Sequence, residues 1–225
     1  LQLIVMVMSF APIGVFCLIG KFVIADGLDI FQDVLAYVVL LISLLIFHAL
    51  FTYSIFLKFI GGLSPITFFR KIKNVALFAF STSSSAATIP VTLKTVNQDL
   101  GVNQNVASFV VPVGATINMD GTAIMQGLAT VFIAQMSGID LTLFQYGQVV
   151  LLAVATSIGT AAVPSAGTIT LIIILQQFNL PLEAIGIILA VDRVLDMIRT
   201  SVNVTGDAAI AVSYTHLTLP TNREV

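Results

Sequence analysis

The sequence predicts an all-α integral membrane protein, with transmembrane helices plus two re-entrant helical hairpins arranged as an inverted repeat. Three observations predict it. Hydrophobic residues make up 58% of the 225-residue chain and charged residues only 9%, against roughly 25% charged residues in soluble globular domains. Apolar runs recur that are long enough to cross a bilayer, which takes about 20 residues as a helix. Two further apolar regions are interrupted near their middle by polar residues, Gly and Pro, and irregular backbone at membrane depth is tolerated only inside protein or along a cavity.

The elements follow in order. Residues 1–25 begin with twenty positions free of Asp, Glu, Lys and Arg. They lack the basic start and small-residue cleavage site of a signal peptide, and read as a helix whose upstream context is missing. Cys17, the single cysteine, is expected to be a small buried hydrophobe; one cysteine supports neither a disulfide framework nor a CxxC metal site. Residues 30–60 read as a transmembrane helix. Val34–Leu57 holds no acid or base apart from His48, and as a helix it rises about 36 Å at ~1.5 Å per residue.

Residues 65–100 read as the first re-entrant hairpin, with arms around Val75–Phe80 and Val91–Val96 and a polar tip from Ser81 to Pro90. Residues 104–136 read as a helix broken at Asn118-Met119-Asp120-Gly121-Thr122. Residues 141–182 carry no charge, yet Gly159, Pro164 and Gly167 interrupt any continuous helix, which gives the second hairpin. Residues 184–212 form a last helix with a polar stripe. From about Ser213 that helix is expected to give way, and 213–225 read as a tail resembling translated adapter sequence.

Lys58, Arg70, Lys71 and Lys73 cluster between two of these elements, which places that segment in the cytoplasm. The first hairpin then enters from the cytoplasmic side and the second from the other. Opposed entry, each hairpin followed by a helix with acidic residues, is the pattern of an inverted repeat with a binding site at its interface. A net charge of −2 provides no basic patch for nucleic acid.

The chemistry lies in the last helix and the broken one. At 100° per residue Asp192, Asp196, Arg199, Asn203 and Asp207 fall within about 80° of one another. An ionised group at mid-membrane costs ~2.5–3.5 kcal/mol even on the mild insertion scale, so such a stripe needs partners, water or ligands. The break at Asn118–Thr122 frees carbonyls that a hard cation can use. The run Ser83–Ser85, opposite an arginine, offers donors for a carboxylate. A serine-nucleophile enzyme needs a histidine base; with only His48 and His216 present, the chain is not read as an enzyme.

Asn118-Met119-Asp120-Gly121-Thr122, the serine-rich tip ending Ala87-Thr88-Ile89-Pro90, Ser157-Ile158-Gly159-Thr160-Ala161, and Asp196-Met197-Ile198-Arg199-Thr200 running on to Asp207 together resemble the signature motifs of the dicarboxylate/amino acid:cation symporters, the glutamate and aspartate transporter family. The likeness covers about residues 11–212 and corresponds to a C-terminal two-thirds fragment of that fold. It implies a multi-pass protein of the cell (inner) membrane, a homotrimer in membrane lipid working as an elevator, with residues 1–25 in the trimerisation scaffold and residues 30–60 in the transport domain. Carried over by motif, Arg199 takes the side-chain carboxylate of the substrate and Asp196 its α-amino group. Asn203 and Ser85 take the α-carboxylate, with Ser84, Thr122, Val163, Gly167 and Thr200 completing the pocket. The resemblance places one Na⁺ among Gly114, Asn118, Asn203 and Asp207, a second among Thr116, Ser157, Ile158 and Thr160, and a third at Asp120.

An arginine fork matches a carboxylate bidentately, so Arg199 favours glutamate or aspartate. The resemblance leaves open proton in place of Na⁺ coupling, a C4-dicarboxylate substrate, and an inactive truncated product; it implies no organic cofactor.

Overall fold

The computed structural model describes residues 30–218 and scattered positions between 13 and 24. The expected scaffold helix over 1–25 therefore lies almost wholly outside the described residues. Within it Cys17 is exposed rather than buried.

The described chain is helical throughout, with no strand among its residues. It opens with α1 (Ile30–Phe47), a π-helical turn (His48–Thr52) and α2 (Tyr53–Phe59). Together these form one 30-residue rod, Ile30–Phe59, and among the described residues it alone is long and apolar enough to cross a membrane. The π turn is closed by the Tyr53 N–H bonding to the His48 carbonyl, an i→i+5 bond.

Next come α3 (Pro65–Thr82) and α4 (Ser85–Gln98), joined by Ser83 and Ser84 alone. The expected polar tip of residues 81–90 is thus reduced to two residues, because Ser81–Thr82 and Ser85–Pro90 are helical. Ser83 turns the chain in the left-handed region at φ 49°. Ser84 then caps α4, accepting the Ala87 N–H at 3.2 Å. Pro90 is tolerated because it lies in the second turn of α4, where little of the hydrogen-bond ladder precedes it.

α5 (Gln104–Ile117) starts at the Asn103 cap, whose Oδ1 accepts the Asn105 N–H. It ends where Asn118 and Met119 leave helical geometry, and α6 (Asp120–Met136) begins. α7 (Leu143–Ile158) opens with a Thr142–Gln145 capping box. A loop then leads through Ser165, at φ 59°, into α8 (Ala166–Gln177). Gly167, expected to break the run, lies inside α8.

A short 3₁₀ turn (Leu182–Ala184) precedes α9 (Ile185–Thr218). The helix expected to end near Val212 runs on to Thr218, with Ser213 and Thr215 buried. The physical reason is that Ser, Tyr, Thr and Leu carry only modest helix penalties, and the first strong breaker is Pro220.

Two apolar cores share α9. One gathers α1, α6, α7 and α8 around the first half of α9, with Leu41, Leu45, Met125, Leu171 and Ile188 fully enclosed. The other gathers α2 to α5 around its second half, with Leu57, Phe68, Ile72 and Val204. The polar stripe of α9 lies between them.

Candidate functional site

Every member of the predicted stripe is buried, Arg199 being only 1% exposed. An isolated charge in such surroundings costs several kcal/mol unless it is paired and hydrogen-bonded. Arg199 Nη2 donates to Asp196 Oδ1 at 2.5 Å and lies 3.5 Å from Asp192 Oδ1. Asp196 Oδ2 accepts the backbone N–H of Ser165 at 3.0 Å, and Asp192 Oδ1 accepts the Thr168 hydroxyl at 2.7 Å. Two buried atoms of the group have no partner among the described residues, Arg199 Nη1 and Asp192 Oδ2. Arg193, next to Asp192 in sequence, points away and is exposed.

A cavity adjoins this cluster, bounded by the Ser83–Ser85 turn, the start of α6, the loop before α8 and α9. Ser85, Thr122, Val163, Gly167, Asp196, Arg199, Thr200 and Asn203 all line it, so every expected substrate residue except Ser84 borders one space. Ser84 is turned elsewhere, its hydroxyl donating to the Ala162 carbonyl at 2.9 Å. The bond ties the α3–α4 turn to the α7–α8 loop. Ser83 lines the cavity with its hydroxyl unpartnered. The volume is about 20 Å³, enough for a single water. Close packing accounts for this: a methyl on Gly167 would lie 2.7 Å from Thr122 Cγ2, and one on Gly121 would lie 3.0 Å from Arg199 Cγ.

The expected cation residues fall in three places. Gly114, Asn118, Asn203 and Asp207 are neighbours. Asn118 Nδ2 donates to Asp207 Oδ1 at 3.0 Å and to the Asn203 carbonyl at 3.2 Å, and a methyl on Gly114 would lie 2.7 Å from Asp207 Oδ1. A set of carboxylate, amide and main-chain oxygens suits a hard cation, and here the Asn118 NH₂ occupies two of those oxygens. Asn203 is oriented by Gly121, whose N–H reaches its Oδ1 at 2.7 Å, and by the Thr122 hydroxyl at 3.3 Å.

Asp120 lies apart, its Oδ2 contacting His48 Nε2 at 3.1 Å and the Tyr53 hydroxyl at 3.2 Å. Of the remaining set, Ser157 and Thr160 are buried, whereas Thr116 and Ile158 are exposed. No group of three His, Cys, Asp or Glu capable of holding a metal occurs among the described residues.

Several residues of the site escape a reading of the sequence. Ser83 is indistinguishable from its neighbours in a serine run. His48 and Tyr53 lie five apart in an apolar span, and only the π turn puts them side by side, with ring centroids 4.9 Å apart. Gln126 is wholly buried and organises a hydroxyl network. Its Nε2 donates to the Gly167 carbonyl at 3.0 Å and to Thr170 Oγ1 at 2.7 Å, its Oε1 accepts from Thr156 at 2.8 Å, and Thr170 in turn meets Thr160 at 2.9 Å.

The model of the Sodium:dicarboxylate symporter family matches residues 1–217. The chain belongs to that family. Among its relatives, an excitatory amino acid transporter of Caenorhabditis elegans is 42% identical over 210 residues, 92% of this chain and 42% of the relative. Excitatory amino acid transporter 2 of Homo sapiens is 41% identical over 219 residues, 96% of the chain and 38% of the relative. Excitatory amino acid transporter 1 of Mus musculus is 39% identical over the same length, covering 40% of the relative. The chain thus spans about two-fifths of the relatives it matches, a smaller share than the two-thirds implied by its sequence.

Proposed function

We propose that this chain forms the substrate- and cation-binding part of a secondary symporter that moves glutamate or aspartate across a membrane on a cation gradient, with Na⁺ as the coupling ion. The observation that carries the proposal is Arg199, almost fully buried at the edge of the cavity with Nη1 unpartnered. A buried guanidinium with a free donor is the natural partner of a carboxylate. Asp196 beside it suits an ammonium group, which favours an amino acid over a C4-dicarboxylate. Ser85, Asn203 and Thr122 supply neutral polar atoms around the rest.

Charge supports the cation. Asp120, Asp192, Asp196 and Asp207 face one guanidinium and one imidazole within this region, so cations entering with the substrate offset an excess of negative charge that the interior would otherwise have to carry. On this reading Gly114, Asn118, Asn203 and Asp207 hold one Na⁺. Thr116, Ser157, Ile158 and Thr160 contribute carbonyls to a second, and Asp120 serves a third. Residues 65–100 and 141–182 act as re-entrant hairpins of an inverted repeat, and the α7–α8 hairpin opens and closes the site. Closure that requires both cation and substrate couples their binding by linkage. A homotrimer with elevator-like movement completes the proposal, the relatives being excitatory amino acid transporters by name.

The test is binding of aspartate and glutamate to the full-length protein in detergent across a Na⁺ titration, with succinate and serine as competitors. Affinity that rises steeply with Na⁺, with serine failing to compete, is the expected result. Affinity that follows pH and ignores Na⁺ makes the proton the coupling ion, and displacement by succinate moves the substrate class to dicarboxylates. No binding of any of them overturns the proposal.

A further inference from the structure

The basic residues near the start of α3 do not all have the same task. Lys71 reaches the Asp99 carbonyl at 2.5 Å and so ties α3 to the end of α4. Lys58 lies 5.8 Å from the ring centroid of Phe59. Arg70 and Lys73 are exposed and make no hydrogen bond or ion pair with the described residues.

Their position on the helix is specific. At 100° per residue, Ile66, Arg70, Lys73 and Leu77 fall within about 60° of one another. Phe68, Ile72, Val75 and Ala79, which pack with Val204, Ala208 and Val212 of α9, cluster on nearly the opposite side. The stripe therefore faces outward, away from the core. It is apolar at both ends, Ile66 being 72% and Leu77 66% exposed, and Phe59 beside Lys58 is 76% exposed. Leu77 stands about 10 Å further along the axis than Arg70, which is the step from a headgroup layer into the first acyl carbons.

We propose that Arg70 and Lys73 form a docking site for the headgroup of an anionic phospholipid of the cytoplasmic leaflet. Charge complementarity names the occupant: two unpaired cations one turn apart, with exposed Leu77 about 10 Å further along the helix, match a phosphate with its acyl chains. A free anion or nucleic acid would leave Leu77 wet. The long stems of Lys and Arg lie along apolar surface while their heads reach the phosphates. The proposal rests on the segment being membrane-embedded and not on which substrate the protein carries.

Native mass spectrometry of the delipidated full-length protein, titrated with phosphatidylglycerol and phosphatidylcholine in equal amounts, reads the preference directly. The wild type is expected to retain phosphatidylglycerol preferentially. Near an anionic surface each basic residue contributes about a fivefold factor, so R70Q/K73Q should lower the preference roughly twenty-five-fold, with aspartate binding unchanged. K94Q, an exposed lysine on α4, serves as the control and should retain it. If the double variant does not fold, the single variants R70Q and K73Q are each expected to lose about fivefold, and the charge-preserving R70K/K73R to lose little. The proposal is overturned if R70Q/K73Q keeps the preference, if K94Q loses as much, if inorganic phosphate displaces the lipid, or if soluble polyglutamate binds the same residues as tightly.

Discussion

The backbone amide of Ser165 donates to Asp196 Oδ2 at 3.0 Å, while the other oxygen of the same carboxylate receives Arg199. One side chain of α9 therefore holds both the loop before α8 and the guanidinium. A ligand that draws Arg199 or Asp196 toward itself would change this hold on the loop, which the Ser84 hydroxyl also ties at the Ala162 carbonyl.

Separating the two tasks of Asp196 is the first prediction. Asp196→Asn keeps an acceptor for Ser165 but loses the charge, whereas Asp196→Ala loses both. A hydrogen bond to a charged group is worth about 1.5–3 kcal/mol. Amide exchange at residues 163–168 should accelerate by roughly one to two orders of magnitude in the Ala variant and much less in the Asn variant; equal exchange in both would remove the bond from any role in holding the loop.

Arg199→Cys removes the only guanidinium among the described residues that line the cavity. Breaking a buried charge pair costs about 3–5 kcal/mol, so aspartate affinity should fall by at least a hundredfold while a neutral amino acid such as serine becomes able to bind. Competition binding with radiolabelled aspartate and serine checks both halves. Unchanged aspartate affinity would take Arg199 out of the pocket.

Gly114→Ala tests the proposed cation cradle. In the interior of a helix Ala is favoured over Gly by about 1 kcal/mol, so propensity alone would stabilise the protein. The added methyl would meet Asp207 Oδ1 at 2.7 Å, pushing the carboxylate off Asn118. The expected outcome is a Na⁺ titration of aspartate binding shifted to higher concentration by tenfold or more, with the helical circular dichroism spectrum unchanged.

Gln126→Met conserves volume but removes a donor pair and an acceptor from the network linking α6 to α7 and α8. A buried polar group left without its partner costs about 1–3 kcal/mol. Thermal unfolding should register a loss of that size, and α8 amides should exchange faster. A variant as stable as the wild type would mean that Thr156, Thr160 and Thr170 satisfy one another without it.

Much of the helical order was legible because its signals are local. Apolar runs and Gly or Pro breaks mark the elements, and the 3.6-residue period alone puts Asp192, Asp196, Arg199, Asn203 and Asp207 on one face of α9. What was not legible depends on distant partners or on a change of period. The Ser83–Ser85 run cannot say which hydroxyl turns toward the cavity and which, as with Ser84, reaches Ala162 in another element. Gln126 looks like any polar residue in an apolar helix until Thr156 of α7 and Thr170 of α8 meet its amide. The end of α9 is not legible because Ser213 to Thr218 carry only modest helix penalties and the first strong breaker in the sequence is Pro220.

The π turn at His48–Thr52 sets the phase of the rod that contains it. Counting along an unbroken α-helix from Leu45, Tyr53 and Leu57 would be rotated by about 80° and 120°. With one extra residue absorbed in the turn they come within about 20° of Leu45, and all three are buried. A deletion of one residue between 49 and 52 would then yield a continuous α-helix with the same core face. What it would lose is the wide turn that sets His48 against Tyr53 and both against Asp120. The scaffold can dispense with that residue; the polar contact across to α6 cannot.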